Sequence, residues 1–150
     1  MTRILLTILA LAGSIGLPLA AARAEPEDDL ERQAVLAQRF EPFDKNGGPD
    51  WENAFPAPFM REVPAGKPEP VTFDLKPGAY MIVVLCNCTS MAVTLVDAKG
   101  ATVEPLRSNQ QAAMYSLDVA AAGKYLTGID MGECDEKACD VGVKVYRKKS

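Results

Sequence analysis

The residues of this chain best equipped for chemistry are four cysteines in two groups: Cys86 and Cys88, one residue apart, and Cys134 and Cys139. Four thiolates can hold zinc, and thiolates joined by Met81, Met91, Met114 or Met131 would suit Cu(I). A Cys-x-Cys pair can also run thiol–disulfide exchange, which needs a thiolate favoured by nearby positive charge. Here the neighbours are Glu133, Asp135, Glu136 and Asp140, with Lys137 alone opposing them. The methionines fall at strand positions and do not repeat as Met-x-x-Met. In an exported chain an even number of cysteines reads first as disulfides. A Cys86–Cys88 bridge would close a small strained ring, so pairing between the two groups is expected, with the individual partners left open.

Other catalytic sets are hard to assemble. There is no histidine, which removes Ser-His-Asp and Cys-His catalysis together with His-ligated zinc, blue copper and two-His iron. Beyond residue 24 the serines are Ser90, Ser108, Ser116 and Ser150, none in a Gly-x-Ser-x-Gly or Ser-x-x-Lys setting. Paired carboxylates meet only in a fold, so spacing leaves that class open. The stretch Asp44–Asp50 resembles a calcium loop, but Pro49 and Phe55 stand where an EF-hand needs Gly and a bidentate Glu; an Asx-type turn fits better. The expectation is a protein that is not an enzyme and carries no cofactor.

Two features set the context for these residues. The chain of 150 residues carries a formal charge of −4, which argues against tracking nucleic-acid phosphates. The small basic tail (Lys144, Arg147, Lys148, Lys149) reads as a solubilising edge. The first 24 residues look like a cleaved signal peptide: a positive start at Arg3, an apolar run from Ile4 to Leu19, and a small-x-small end at Ala22-Arg23-Ala24. Gly13, Gly16 and Pro18 interrupt that run, which disfavours a retained membrane anchor. Removing Arg3 and Arg23 from 16 basic residues leaves 14 against 20 acidic ones, a charge of −6. No membrane span is expected after cleavage.

The elements that must position the cysteines fall into two regions. Residues 25–40 predict one amphipathic helix, with Pro26 and Glu27–Asp29 in its first turn and Leu30, Ala34, Ala37 and Phe40 on one face. Pro42 should stop it. Residues 41–70 hold seven of the eleven prolines, which forbids a regular helix or central strand there. The same neighbourhood holds Trp51, Phe55 and Phe59. The arm either wraps the domain and fills core grooves with these rings, or presents them to a partner.

From residue 71 the pattern is β. Strands are predicted to begin near 71, 79, 91, 102, 113, 124 and 140, with no room for helical crossovers, so the fold should be an all-β antiparallel sandwich. The unbroken apolar run Ala79–Cys86 reads as a central strand covered on both faces. Pro105 demotes 102–106 to an edge, where a partner strand could add.

The phrases VTFDLKPGAYMIVV, AVTLVDAKGATV, YSLDVAAAGKYLTGI and VGVKVYR occur in an order that resembles the bacterial pre-peptidase C-terminal domain. The resemblance covers residues 71–146. It implies a jelly-roll-like sandwich of about seven strands and a non-catalytic module associated with binding or with domain stability. The acidic cluster some members carry in the strand after the cysteine-rich loop is replaced here by Thr89–Val93, with no Asp before Asp97.

These readings combine into a signal peptide (1–24), a helix and Pro/aromatic arm (25–70) and a sandwich (71–150). The product is expected to be periplasmic or secreted, disulfide-stabilised and non-catalytic. It would bind an envelope protein or glycan through Trp51, Phe55 and Phe59. The alternative is a periplasmic metal-binding or thiol-redox protein using Cys86, Cys88, Cys134 and Cys139.

Overall fold

The computed structural model describes residues 26–46, 49–108, 111–134 and 138–150. The expected leader, residues 1–24, lies outside the described residues, as do Gly47, Gly48 and residues 135–137. Among the described residues two helices, α1 (Pro26–Gln38) and α2 (Glu41–Asn46), precede nine strands. These are β1 (Trp51–Asn53), β2 (Phe59–Pro64), β3 (Glu69–Leu75), β4 (Gly78–Cys86) and β5 (Ser90–Val96), followed by β6 (Thr102–Ser108), β7 (Ala112–Val119), β8 (Gly123–Glu133) and β9 (Ala138–Lys148).

The pairings have a simple rule. β2 pairs β9, β3 pairs β8, β4 pairs β7 and β5 pairs β6, all antiparallel. The chain is therefore one long doubled hairpin with its tip between β5 and β6. Additional pairings of β4 with β9 and β5 with β8 roll it into two sheets. This is the antiparallel sandwich expected from the strand spacing, in the jelly-roll order that the family resemblance implied. The count rises from about seven to nine because the arm supplies β1 and β2. Both lie along one side of β9, joined by the bond from Ala54 N–H to the Val145 carbonyl at 2.9 Å.

The prolines land where the missing N–H does least harm. Pro105 is in β6 and Pro70 in β3, each at an outer position of the second sheet, and Pro64 closes β2. The main core lies between the sheets and alternates strictly along the strands: Val71, Phe73 and Leu75 of β3, Met91, Val93 and Leu95 of β5, and Val141, Val143 and Val145 of β9 all face inward.

A second, smaller core explains the unbroken apolar run of β4. Tyr80, Ile82, Val84 and Cys86 face the sandwich interior, whereas Val83 and Leu85 point outward and are buried with Leu36, Phe40 and Tyr146. The helices therefore cover the outer face of this sheet, and β4 is buried on both sides.

The helix differs from expectation in two ways. It ends at Gln38, and the residues buried are Leu36 and, in the turn that follows, Phe40, while Leu30 is 68% exposed and Ala34 is exposed too. The reason is polar: Arg32 and Arg39 share the buried face at helical spacing with Leu36 and Phe40, and both bond to the sheet. Pro42 does not end a helix either. The chain turns at Arg39–Phe40, and Pro42 then occupies the first turn of α2, where its absent N–H costs nothing.

Candidate functional site

Where α1 crosses the cysteine-bearing ends of β4 and β9, a groove of about 480 Å³ opens, lined by Glu31, Arg32, Val35, Leu36, Arg39 and Asn87. Its floor is built by the chain bend after β4. Asn87 donates its backbone N–H to the Asp140 carbonyl (3.2 Å), and its side-chain oxygen accepts from the Asp140 N–H (2.7 Å). These two bonds carry the β4–β9 ladder one residue past the end of β4. Arg32 Nε meets Asp140 Oδ2 at 3.0 Å, and Asn87 Nδ2 approaches the same oxygen at 3.4 Å. The Asp140 side chain is 3% exposed against 32% for Arg32. Asp140 Oδ1 is buried with no hydrogen-bond partner among the described residues. Arg39 donates Nη1 to the Cys86 carbonyl at 2.8 Å, anchoring the helix to the last residue of β4.

The cysteines lie beneath this floor, facing the sandwich core. Cys86, Cys88 and Cys139 are buried, and Cys134 is half-buried against them. The expected cross-pairing is corrected: the bonds are local, Cys86 to Cys88 and Cys134 to Cys139. The bend at Asn87 brings the Cys86 and Cys88 Cα atoms to 5.3 Å, inside the range a disulfide spans. A straight strand would hold residues two apart at roughly 6.6 Å. None of the four thiols is free. Among the described residues no group of three or more Cys, Asp and Glu is arranged to hold a metal ion.

The aromatic residues do not form one surface. Trp51 packs, half-buried, into the outer-face cluster with Leu36, Phe40 and Tyr146. Phe55 and Phe59, also half-buried, pack against the main core, with ring centroids 5.3 Å apart and 6.0 and 5.1 Å from Phe73. The arm wraps the side of the sandwich, so its rings serve two separate cores. The Asp44 carboxylate, which the calcium-loop reading would have used, accepts from Lys144 Nζ at 2.6 and 2.7 Å and from the Tyr146 hydroxyl at 3.0 Å. Burial, and secondarily the Asp44 bond, pushes the Tyr146 hydroxyl well above the ordinary tyrosine range.

Sequence reasoning missed Arg32, Arg39, Asn87 and Asp140. One signal for the arginines was present: Arg32, Leu36, Arg39 and Phe40 follow the spacing of one helical face. Asn87 and Asp140 had none, because they meet only through the β4–β9 register. At the opposite side of the sandwich, Asp97 accepts from the N–H groups of Lys99 (2.8 Å) and Ala101 (2.9 Å), a side-chain-capped turn. No described helix is long and apolar enough to cross a membrane.

No family model and no curated protein matches this chain.

Proposed function

We propose that this protein is an exported, periplasmic or secreted, non-catalytic binding module of the cell envelope, and that it binds at the groove between α1 and the β4–β9 end. The groove carries the reading: a half-open cleft of ligand size with an apolar wall and a few convergent polar groups is the usual form of a binding site. The two disulfides support export, since such bonds persist in oxidising compartments. The jelly-roll order supports a kinship of residues 71–146 with the pre-peptidase C-terminal domain, whose members are non-catalytic. Trp51, Phe55 and Phe59 help to shape the module, and the contact passes to the groove, where Val35 is 57% exposed beside two arginines.

The test is a photo-cross-linking residue at position 35, with one at Val103 on the opposite sheet as the control. Expected is an adduct in the envelope from position 35 alone, lost when unlabelled protein is added in excess. Adducts from both positions alike, or from neither, would overturn the reading.

A further inference from the structure

We propose that the groove takes the C-terminal residue of a partner polypeptide, its carboxylate on Arg39 and an aliphatic side chain against Val35. This rests on the groove being a binding site, and it adds the chemistry of the ligand.

The charges in the groove are not equivalent. Arg32 is committed to the buried Asp140. Arg39 gives one N–H to the neutral Cys86 carbonyl, and beyond that carbonyl its guanidinium has no partner among the described residues. It is thus a half-buried cation facing a cleft, with no carboxylate paired to it among the described residues. Its planar fork of donors matches a carboxylate in two parallel bonds, a geometry an ammonium cannot supply. Glu31 on the rim repels a multiply charged anion, which favours a carboxylate over a phosphate.

Asn87 narrows the class further. Its side-chain oxygen is occupied by the Asp140 N–H at 2.7 Å, so the amide nitrogen is the end available for a ligand. That nitrogen makes only a long 3.4 Å contact with Asp140 and has a second hydrogen to give. A donor beside the carboxylate site suits the amide carbonyl that precedes a polypeptide's last residue. A free acyl carboxylate offers nothing there. Val35, one helical turn before Arg39, gives the last side chain an apolar wall.

The test is a titration of the full-length exported protein with three probes, followed by two-dimensional NMR: N-acetyl-leucine, N-acetyl-leucinamide and hexanoate. N-acetyl-leucine should saturably move the signals of Val35, Arg39 and Asn87. The amide, lacking the carboxylate, should bind about tenfold more weakly or worse, as expected for loss of a charge-assisted pair. Hexanoate should also be weaker, because it has no amide for Asn87. Arg39→Gln should weaken N-acetyl-leucine by a similar factor, with Arg39→Lys recovering part of it. Because Arg39 also anchors the helix, Val35→Glu on the exposed side is the second variant, and it should abolish binding while leaving the spectrum dispersed. Equal affinity for the amide would overturn the carboxylate assignment, and equal or tighter hexanoate binding would overturn the polypeptide assignment. Neither outcome would touch the cross-linking result, so the ligand class and the binding reading fail separately. No shift with any probe, or wild-type affinity in Val35→Glu, would also sink the proposal.

Discussion

A methyl group at Gly142 would sit 2.7 Å from Cε2 of Phe40, so the Phe40 ring fills the space that any other residue at 142 would need. This contact sets the height of the helical layer above β9 and, through it, the depth of the groove. Gly142→Ala would also press on Phe40 Cζ at 3.0 Å and Met60 Sδ at 3.1 Å. The variant should lose about 1–3 kcal/mol in chemical denaturation, the usual cost of overpacking. Phe40→Leu added to it should recover part of that loss, because the smaller side chain vacates the site. Simple addition of the two penalties would show that the contact is not the cause.

Breaking the Arg32–Asp140 pair should cost more than its appearance at the surface implies. Arg32→Met leaves a buried carboxylate with Asn87 as its remaining side-chain partner. A fully buried pair loses about 3–5 kcal/mol when one partner is removed; here Arg32 is a third exposed, so about 2 kcal/mol is expected. Urea denaturation of the variant and wild type measures it, and a change below about 0.5 kcal/mol would place the pair among ordinary surface contacts.

The disulfide pairing has a direct chemical readout. Trypsin cuts at Lys137, between Cys134 and Cys139, and leaves Cys86 and Cys88 within one peptide, residues 62–99, where it spares Lys-Pro bonds. Without reductant, peptides 125–137 and 138–144 should appear linked to each other, and peptide 62–99 should appear alone, two hydrogens lighter. A species joining all three peptides would mean cross-pairing.

The Tyr146 hydroxyl gives a pH signature. Its folded-state titration point is raised by burial and by the bond to Asp44. The stabilisation is therefore fully present below the unfolded tyrosine value of about 10, and is lost as pH rises above it. Denaturation of wild type and Tyr146→Phe at pH 8 and pH 11 should show the wild type losing stability relative to the variant at the higher pH. A gap that is constant with pH would exclude the hydroxyl as the titrating group.

Phe59→Ala tests what the arm's rings are for. Phe59 packs edge-on to Phe55 and Phe73, so its truncation should cost about 2 kcal/mol, below the about 3–5 kcal/mol of a fully buried phenylalanine because it is half-buried. Thermal denaturation reads this directly, and an unchanged midpoint would return the ring to the solvent-facing role.

Much of this architecture was legible from local pattern. The alternation in β3, β5, β7 and β9 required strands with one face inward, and the short spacing between them required antiparallel pairing. The run Ala79–Cys86 even signalled that something must cover β4 on its outer side. What lay beyond local pattern was which residues provide that cover. The predicted apolar stripe of α1 ran through Leu30, Ala34, Ala37 and Phe40, yet Leu36, outside that stripe, is buried and Leu30 is not, because Arg32 and Arg39 bond to the sheet and turn their side of the helix inward. Likewise the cysteine spacing established two local groups. The bend that lets Cys86 reach Cys88 depends on Asn87 bonding to Asp140, 53 positions away.

Local sequence was enough for the strands, the inward faces and the class of the sandwich, because those follow from side-chain periodicity and turn chemistry within a few residues. The groove comes into being with the long-range packing. Its members, Arg32 on α1, Arg39 in the turn that follows it, Asn87 at a strand end and Asp140 at the start of the last strand, are brought together by the β4–β9 register and the docking angle of α1. Neither quantity is written in any local stretch of the chain.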